Sequence, residues 1–129
     1  IIMTRAIIGG NVELSPGNPL PLSKGIKAGD FVFLSGQLGV SSNGQLAEGI
    51  GEQTTQTLEN IKEILALVGL DLSSVVKSTV WLTDMANFKG FNQAYAEAFP
   101  LAPPVRSTVC SGLALPEALI EIEVIAYAG

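Results

Sequence analysis

Two stretches of this chain, and only two, space their apolar residues as a helix does, and everything around them reads as strand or turn. From Gly51 to Val68, Leu58, Ile61, Leu65 and Val68 fall on one stripe while Glu59, Lys62 and Glu63 lie off it, and Gly69 follows as a C-terminal cap. From residue 87 to 99, Phe88, Phe91, Tyr95 and Ala98 make a second stripe, with Asn87 as N-cap and Pro100 as the stop. A short strand is expected around Arg5 to Ile8, and "DFVFLSGQLGV" is apolar enough to predict a strand buried on both faces. "SVVKSTVWLTD" (74–84) alternates, with Val76, Val80 and Leu82 on one side, and two closing strands are expected around 105–111 and 118–127. "ELSPGNPLPLSKG" (13–25) predicts a long surface loop, and Asn43-Gly44 a hairpin turn. The order is β-β-β-α-β-α-β-β. Two helices of about four turns each cover only one face of a sheet that large. The other face must be closed by something else, and the same face of neighbouring subunits is the natural candidate.

Composition agrees. The 129 residues suit a single domain spanning 1–129, and 47 % apolar against 15 % charged is more than a monomer of this size covers easily. A homo-oligomer is expected. The net charge of −5, with its seven cations scattered, argues against a nucleic-acid partner. One cysteine excludes an intramolecular disulfide and favours a cytoplasmic setting. No apolar run approaches the roughly 20 residues that span a bilayer, so no membrane partner is expected. "IIMTRAIIGG" lacks the layout of a signal peptide, and Met3 is read as the natural start. The absence of histidine removes the commonest general base and metal ligand. Chemistry is left to carboxylates, arginine, hydroxyls, the thiol and the backbone.

The closing strands carry the oddities. In "PPVRSTVC", Arg106 stands in a stretch that alternates like a strand and carries Val105 and Val109, and it shares a strand face with Thr108 and Cys110. In "LIEIEVIAY", Ile120, Ile122, Val124 and Ala126 make a clean apolar face, which turns Glu121 and Glu123 toward the uncovered side. Alternation is read as placing Arg106 on that side too. Arg106 is then either an interfacial salt-bridge partner of Glu121 or Glu123, or an anion hook whose planar fork matches a carboxylate. The Ser-Gly pair of "FLSGQ" marks either a bulge or a backbone exposed for close approach. Cys110 is expected to be buried and inert.

In order along the chain, "GDFVFLSGQLGV", "QTLENIKEILALVGLDLSSVVKSTVWLTDM", "FNQAYAEAF", "PPVRSTV" and "LIEIEVIA" together resemble the Rid family, the YjgF-type reactive-intermediate deaminases. The resemblance covers Pro21 to Ala126. It implies an α+β, chorismate-mutase-like fold, with a six-stranded mixed sheet, two helices on one face, and a homotrimer closed around a central barrel. It implies active sites between subunits that hydrolyse 2-imino and enamino acids, such as 2-aminoacrylate, to 2-keto acids and ammonia, with no metal or organic cofactor. Arg106 matches the arginine that grips the substrate carboxylate, and Glu121 the glutamate that positions the attacking water. Ser35, Gly36, Asn92 and Thr108 match positions that contact the ligand or line the cleft. Leu22, in "PLSK", stands where an aromatic is usual, Lys24 where glutamine is usual, and Thr108 where cysteine is often found. Pro116 falls one residue late, although the spacing from Arg106 to Glu121 is kept. The alternative is a non-catalytic binder of small carboxylates or 2-keto acids on the same fold. An RNA-cleaving role is disfavoured by the acidic balance.

Overall fold

The computed structural model describes residues 5–129, so the expected start at Met3 lies outside it. The elements are β1 (Arg5–Ser15), β2 (Asn18–Ala28), β3 (Phe31–Leu34), β4 (Gln37–Leu38), α1 (Gly49–Ala66), β5 (Val75–Leu82), α2 (Phe88–Ala98), β6 (Val105–Cys110) and β7 (Ile120–Tyr127). Single 3-10 turns precede β5 and α2. The strands form one mixed sheet in the order β1-β2-β3-β7-β5-β6, with the two-residue β4 also paired to β7. Every pairing is antiparallel except β5 with β6, which α2 connects. The α+β architecture is as expected.

Both helices pack on one face. Leu58, Ile61 and Leu65 of α1 and Phe91 and Tyr95 of α2 join Val80, Leu82, Ile120, Ile122 and Val124 of the sheet in a single core. The α1 stripe also buries three polar residues, each satisfied. Thr54 and Thr57 donate to the carbonyls of Ile50 and Gln53, both at 2.7 Å, and Gln53 Oε1 accepts from the Leu119 N–H at 2.8 Å. Gly69 ends the helix as expected, with φ +73° and the Leu70 N–H donating back to the Leu65 carbonyl at 3.0 Å. At α2 the expected cap differs. Asn87 occupies the N-cap position without a side-chain bond, and Asp84 instead accepts from the Ala86 N–H at 2.8 Å at the head of the preceding turn. Among the described residues no helix is long and apolar enough to cross a membrane.

Three expectations are corrected. Residues 13–25 are not a long loop, because β1 and β2 pair as a hairpin through a short turn at Pro16 and Gly17. Pro19 and Pro21 are tolerated because β2 meets β3 only from Gly25 to Ala28. The proline half of β2 has a partner on one side alone, and its register with β1 is irregular there. On β5, Val76 does not share the side of Val80. A register shift between Val75 and Lys77 turns Val75 into the core and leaves Val76 exposed. The apolar run at 30–40 is not buried on both faces in the chain. Val32 and Leu34 are buried, whereas Phe31 and Phe33 are 42 % and 44 % exposed. They stand with Tyr127, Val105 and Val109 among the exposed large apolar side chains, and Phe31 and Tyr127 pack at 5.3 Å between centroids.

Candidate functional site

The Ser35-Gly36 break between β3 and β4 creates the first cavity. Ser35 is held to β2 twice, its N–H donating to the Lys24 carbonyl at 2.9 Å and its Oγ to the Ser23 carbonyl at 2.6 Å. After Gly36 the chain leaves β2 and stays paired with β7 alone, Gln37 opposite Ile122 and Leu38 opposite Glu121. Asn60 of α1 fastens this new course by donating to the carbonyls of Leu38 at 2.9 Å and Val40 at 2.8 Å. The sheet therefore splits between the Pro-rich half of β2 and β4. A cavity of 610 Å³ occupies the split, and Leu22, Lys24, Ser35, Gly36, Glu121 and Glu123 are among its lining residues.

Gly36 is required here. A Cβ at this position would sit 2.0 Å from Glu121 Oε2, so the carboxylate lies directly against bare backbone. Burial raises the Glu121 pKa above the ordinary carboxylate value, and the neighbouring Glu123 charge adds to the rise. The result is a carboxyl that holds its proton more tightly than a surface glutamate and is a stronger base once ionised.

The second cavity, of 330 Å³, lies between α2 and the start of β6 and is lined by Asn92, Tyr95, Phe99 and Arg106 among others. The Arg106 Cζ sits 4.9 Å from the Phe91 ring centroid, 5.0 Å from Tyr95 and 5.8 Å from Phe88. Ring faces attract the guanidinium without using its in-plane N–H fork. Tyr95 is itself fixed by a 2.5 Å hydrogen bond with Ser78, and burial raises its pKa, so it remains a neutral platform. No ion pair within 4.0 Å forms among the described residues, and the fork has no carboxylate. Thr108, two residues along β6, keeps a buried hydroxyl without a hydrogen-bond partner.

These positions correct the reading that Arg106 shares the open face with Glu121. Arg106 is the register partner of Ser78, whose hydroxyl meets Tyr95 of α2, so Arg106 projects on the helix side. Glu121 alternates with the buried Ile120 and Ile122 and is paired with Trp81, so it projects on the other side. Within one chain the structure brings Leu22, Ser35, Gly36 and Glu121 to one cavity, and Asn92 and Arg106 to another. It does not bring Arg106 to Glu121, and the salt bridge is not made in the chain. Cys110 is also corrected. It is exposed, because β6 is an edge strand, and its Sγ donates only a 3.7 Å contact to the Thr83 carbonyl. Sequence reasoning missed Asn60 and the aromatic seat of Arg106. An asparagine within a helix and three rings on the apolar stripe of α2 were the available signals. No group of three histidine, cysteine or carboxylate side chains able to hold a metal occurs among the described residues.

Comparison with known proteins places this geometry in context. Residues 13–128 match the family model described as endoribonuclease L-PSP. The chain is 47 % identical over 119 residues to Reactive Intermediate Deaminase A, chloroplastic, of Arabidopsis thaliana, which covers 90 % of this chain but only 63 % of that longer protein. It is 38 % identical to the 3-aminoacrylate deaminase RutC of Acinetobacter baylyi, across 90 % of this chain and 96 % of that one. The crystal structure of yeast Mmf1 superposes with a TM-score of 0.86 at 33 % identity, covering 98 % of this chain and all of that one.

Proposed function

The chain belongs to the endoribonuclease L-PSP family, the Rid or YjgF type of reactive-intermediate deaminase, and from that membership we propose that it hydrolyses reactive 2-imino and enamino acids to 2-keto acids and ammonia. The observation that carries the proposal is the Glu121 carboxylate, held against Gly36 in a cavity of 610 Å³ and made more basic by burial. The substrate site is composite. Arg106 of one protomer holds the substrate carboxylate over the Glu121 cavity of the next, in a homotrimer built on the open sheet faces. Opposite projection of the two residues supports this arrangement, as does the exposed Phe31, Phe33 and Tyr127 surface.

An imine carbon is already electrophilic, so the protein's task is to hold water and substrate together. An enamine first takes a proton from solvent at its terminal carbon, loses one from nitrogen to solvent, and becomes the imine. Ionised Glu121 then accepts a proton from water as the water oxygen bonds to C2 and the C=N π pair moves to nitrogen. The proton held by Glu121 passes to the nitrogen to give the carbinolamine. Its hydroxyl proton is then carried by Glu121 to the same nitrogen as the C–N bond breaks, the oxygen pair forms the keto carbonyl and ammonia leaves. One water is consumed for each ammonia released. Backbone at Gly36 and Thr108, with Ser35 and Asn92, orients the substrate, and Leu22 forms part of the wall. The reaction uses no metal or organic cofactor.

The test generates imino acids in situ and traps what remains as semicarbazone, comparing the unaltered protein with Arg106→Ala. We expect acceleration of imine loss to fall by about 10²-fold or more with the oligomer intact. Retained activity would end the hook reading, and collapse to monomers would assign Arg106 to assembly. Saturable 2-keto acid binding without any acceleration would select the non-catalytic binder.

A further inference from the structure

We propose that Lys24 determines specificity in the Glu121 cavity by receiving a second, distal carboxylate, so that the preferred substrates are acidic 2-imino acids. This rests on the deaminase reading above and adds the substrate class.

Lys24 lines the same cavity as Glu121, Ser35 and Gly36, and is the only cation among its lining residues. It is half-buried, yet it makes no ion pair within 4.0 Å with any described carboxylate, although Glu121 and Glu123 line the same space. The position of its stem has a local cause. A Cβ on Gly9 would stand 3.2 Å from Lys24 Cδ and 3.4 Å from its Cβ, so the lysine lies close along bare β1 backbone. Its own carbonyl is tied to the Ser35 N–H, which fixes the base of the side chain to the substrate-contacting loop.

Placement points the same way. Lys24 and Glu121 line one cavity, so a substrate chain longer than three carbons, held at the Glu121 end, can present a distal group to the ammonium. With Arg106 occupied by the carboxylate next to the imine, a free cation in the same cavity is matched by a second anion. A neutral side chain would leave the half-buried ammonium without a partner. Lysine serves as a point charge on a flexible stem, suited to end-on capture of a distal carboxylate.

The experiment measures hydrolysis of imines generated enzymatically from glutamate and from norvaline, which differ in the terminal carboxylate, by the unaltered protein, Lys24→Gln and Lys24→Arg. Binding of the five-carbon 2-keto dicarboxylic acid to each is measured by calorimetry. The expected result is about a tenfold fall in kcat/KM for the acidic imine in Lys24→Gln. The norvaline imine should change less than twofold, and arginine should restore most of the loss. Equal losses on both imines, or no loss on the acidic one, would overturn the role of Lys24. If the unaltered protein accelerates neither imine, the deaminase reading fails, and the substrate class with it. Keto-diacid binding that still weakens in Lys24→Gln would then leave Lys24 as the distal anion site of a binder.

Discussion

In the proposed reaction Glu121 must be negative to draw a proton from water, and two features of its surroundings oppose that charge. Burial is the larger and Glu123 the smaller, and both raise its pKa above 4.5. The reactive form therefore appears only as pH climbs past a raised value, so kcat/KM should rise with pH along an acidic limb lying above the ordinary carboxylate range. Glu123→Gln removes the smaller cause, and we expect that limb to move to lower pH while activity on the plateau persists. A pH–rate profile of the two proteins checks it, and an unmoved limb would show that Glu123 does not act on the catalytic carboxyl. Stability has the opposite sign. The folded state binds this proton more tightly than the unfolded one, so the contribution of Glu121 falls as pH rises from the unfolded pKa through the folded one. At this scale the sequence was legible for each strand and not between strands. Alternation joins Arg106 to Thr108 and Cys110, and Glu121 to Glu123, with no relation between the two sets. That relation comes from the pairing of Arg106 with Ser78 and of Glu121 with Trp81, which no periodicity within one strand encodes.

The elements that hold the site were read unevenly, for reasons particular to each. The helices announced themselves through apolar stripes that pack as expected, since burial of one face is what the 3.6-residue period records. β2 was hidden because proline and glycine argue for a loop, and they are allowed in a strand only where one neighbour is missing. The bulge at Val76 was hidden because an extra residue in a strand leaves no compositional mark. Asn60 is the element-scale residue on which the Glu121 cavity depends, because among the described residues its side chain bonds the carbonyls on both sides of Gly39 to α1. Asn60→Ala leaves two partly buried carbonyls without their donor, and we expect a loss of about 1–3 kcal/mol. Urea unfolding measures the loss. Hydrogen exchange should show faster opening at Leu38 and Val40 than in the unaltered protein, with the β5–β7 pairing unchanged. A stability unchanged within error would show that water replaces the side chain without cost.

The whole molecule must reconcile one sheet with two exposed requirements. Its helix face is satisfied by α1 and α2, while the opposite face presents Phe31, Phe33 and Tyr127 and, further along β7, Glu121. Arg106 meanwhile lies on the helix side of an edge strand, with its fork free. In the proposed ring of three, each site takes its arginine from one chain and its glutamate from the next. This gives a numerical expectation for mixtures of two inactive proteins, Arg106→Ala and Glu121→Gln, unfolded together and refolded at equal amounts. Random assembly makes about three quarters of the trimers mixed. In every mixed ring one interface in three joins an intact Arg106 to an intact Glu121, so about a quarter of all sites recover. Activity of the mixture should reach about 25 % of the unaltered protein, while each variant refolded alone stays inactive. A site contained in one chain gives no recovery at any ratio. A twofold dimer with two composite sites also gives about a quarter at equal mixing, since half the dimers are mixed and each regains one site of two. Sedimentation of the active fraction separates the two assemblies, and a monomeric active species would remove the composite site altogether.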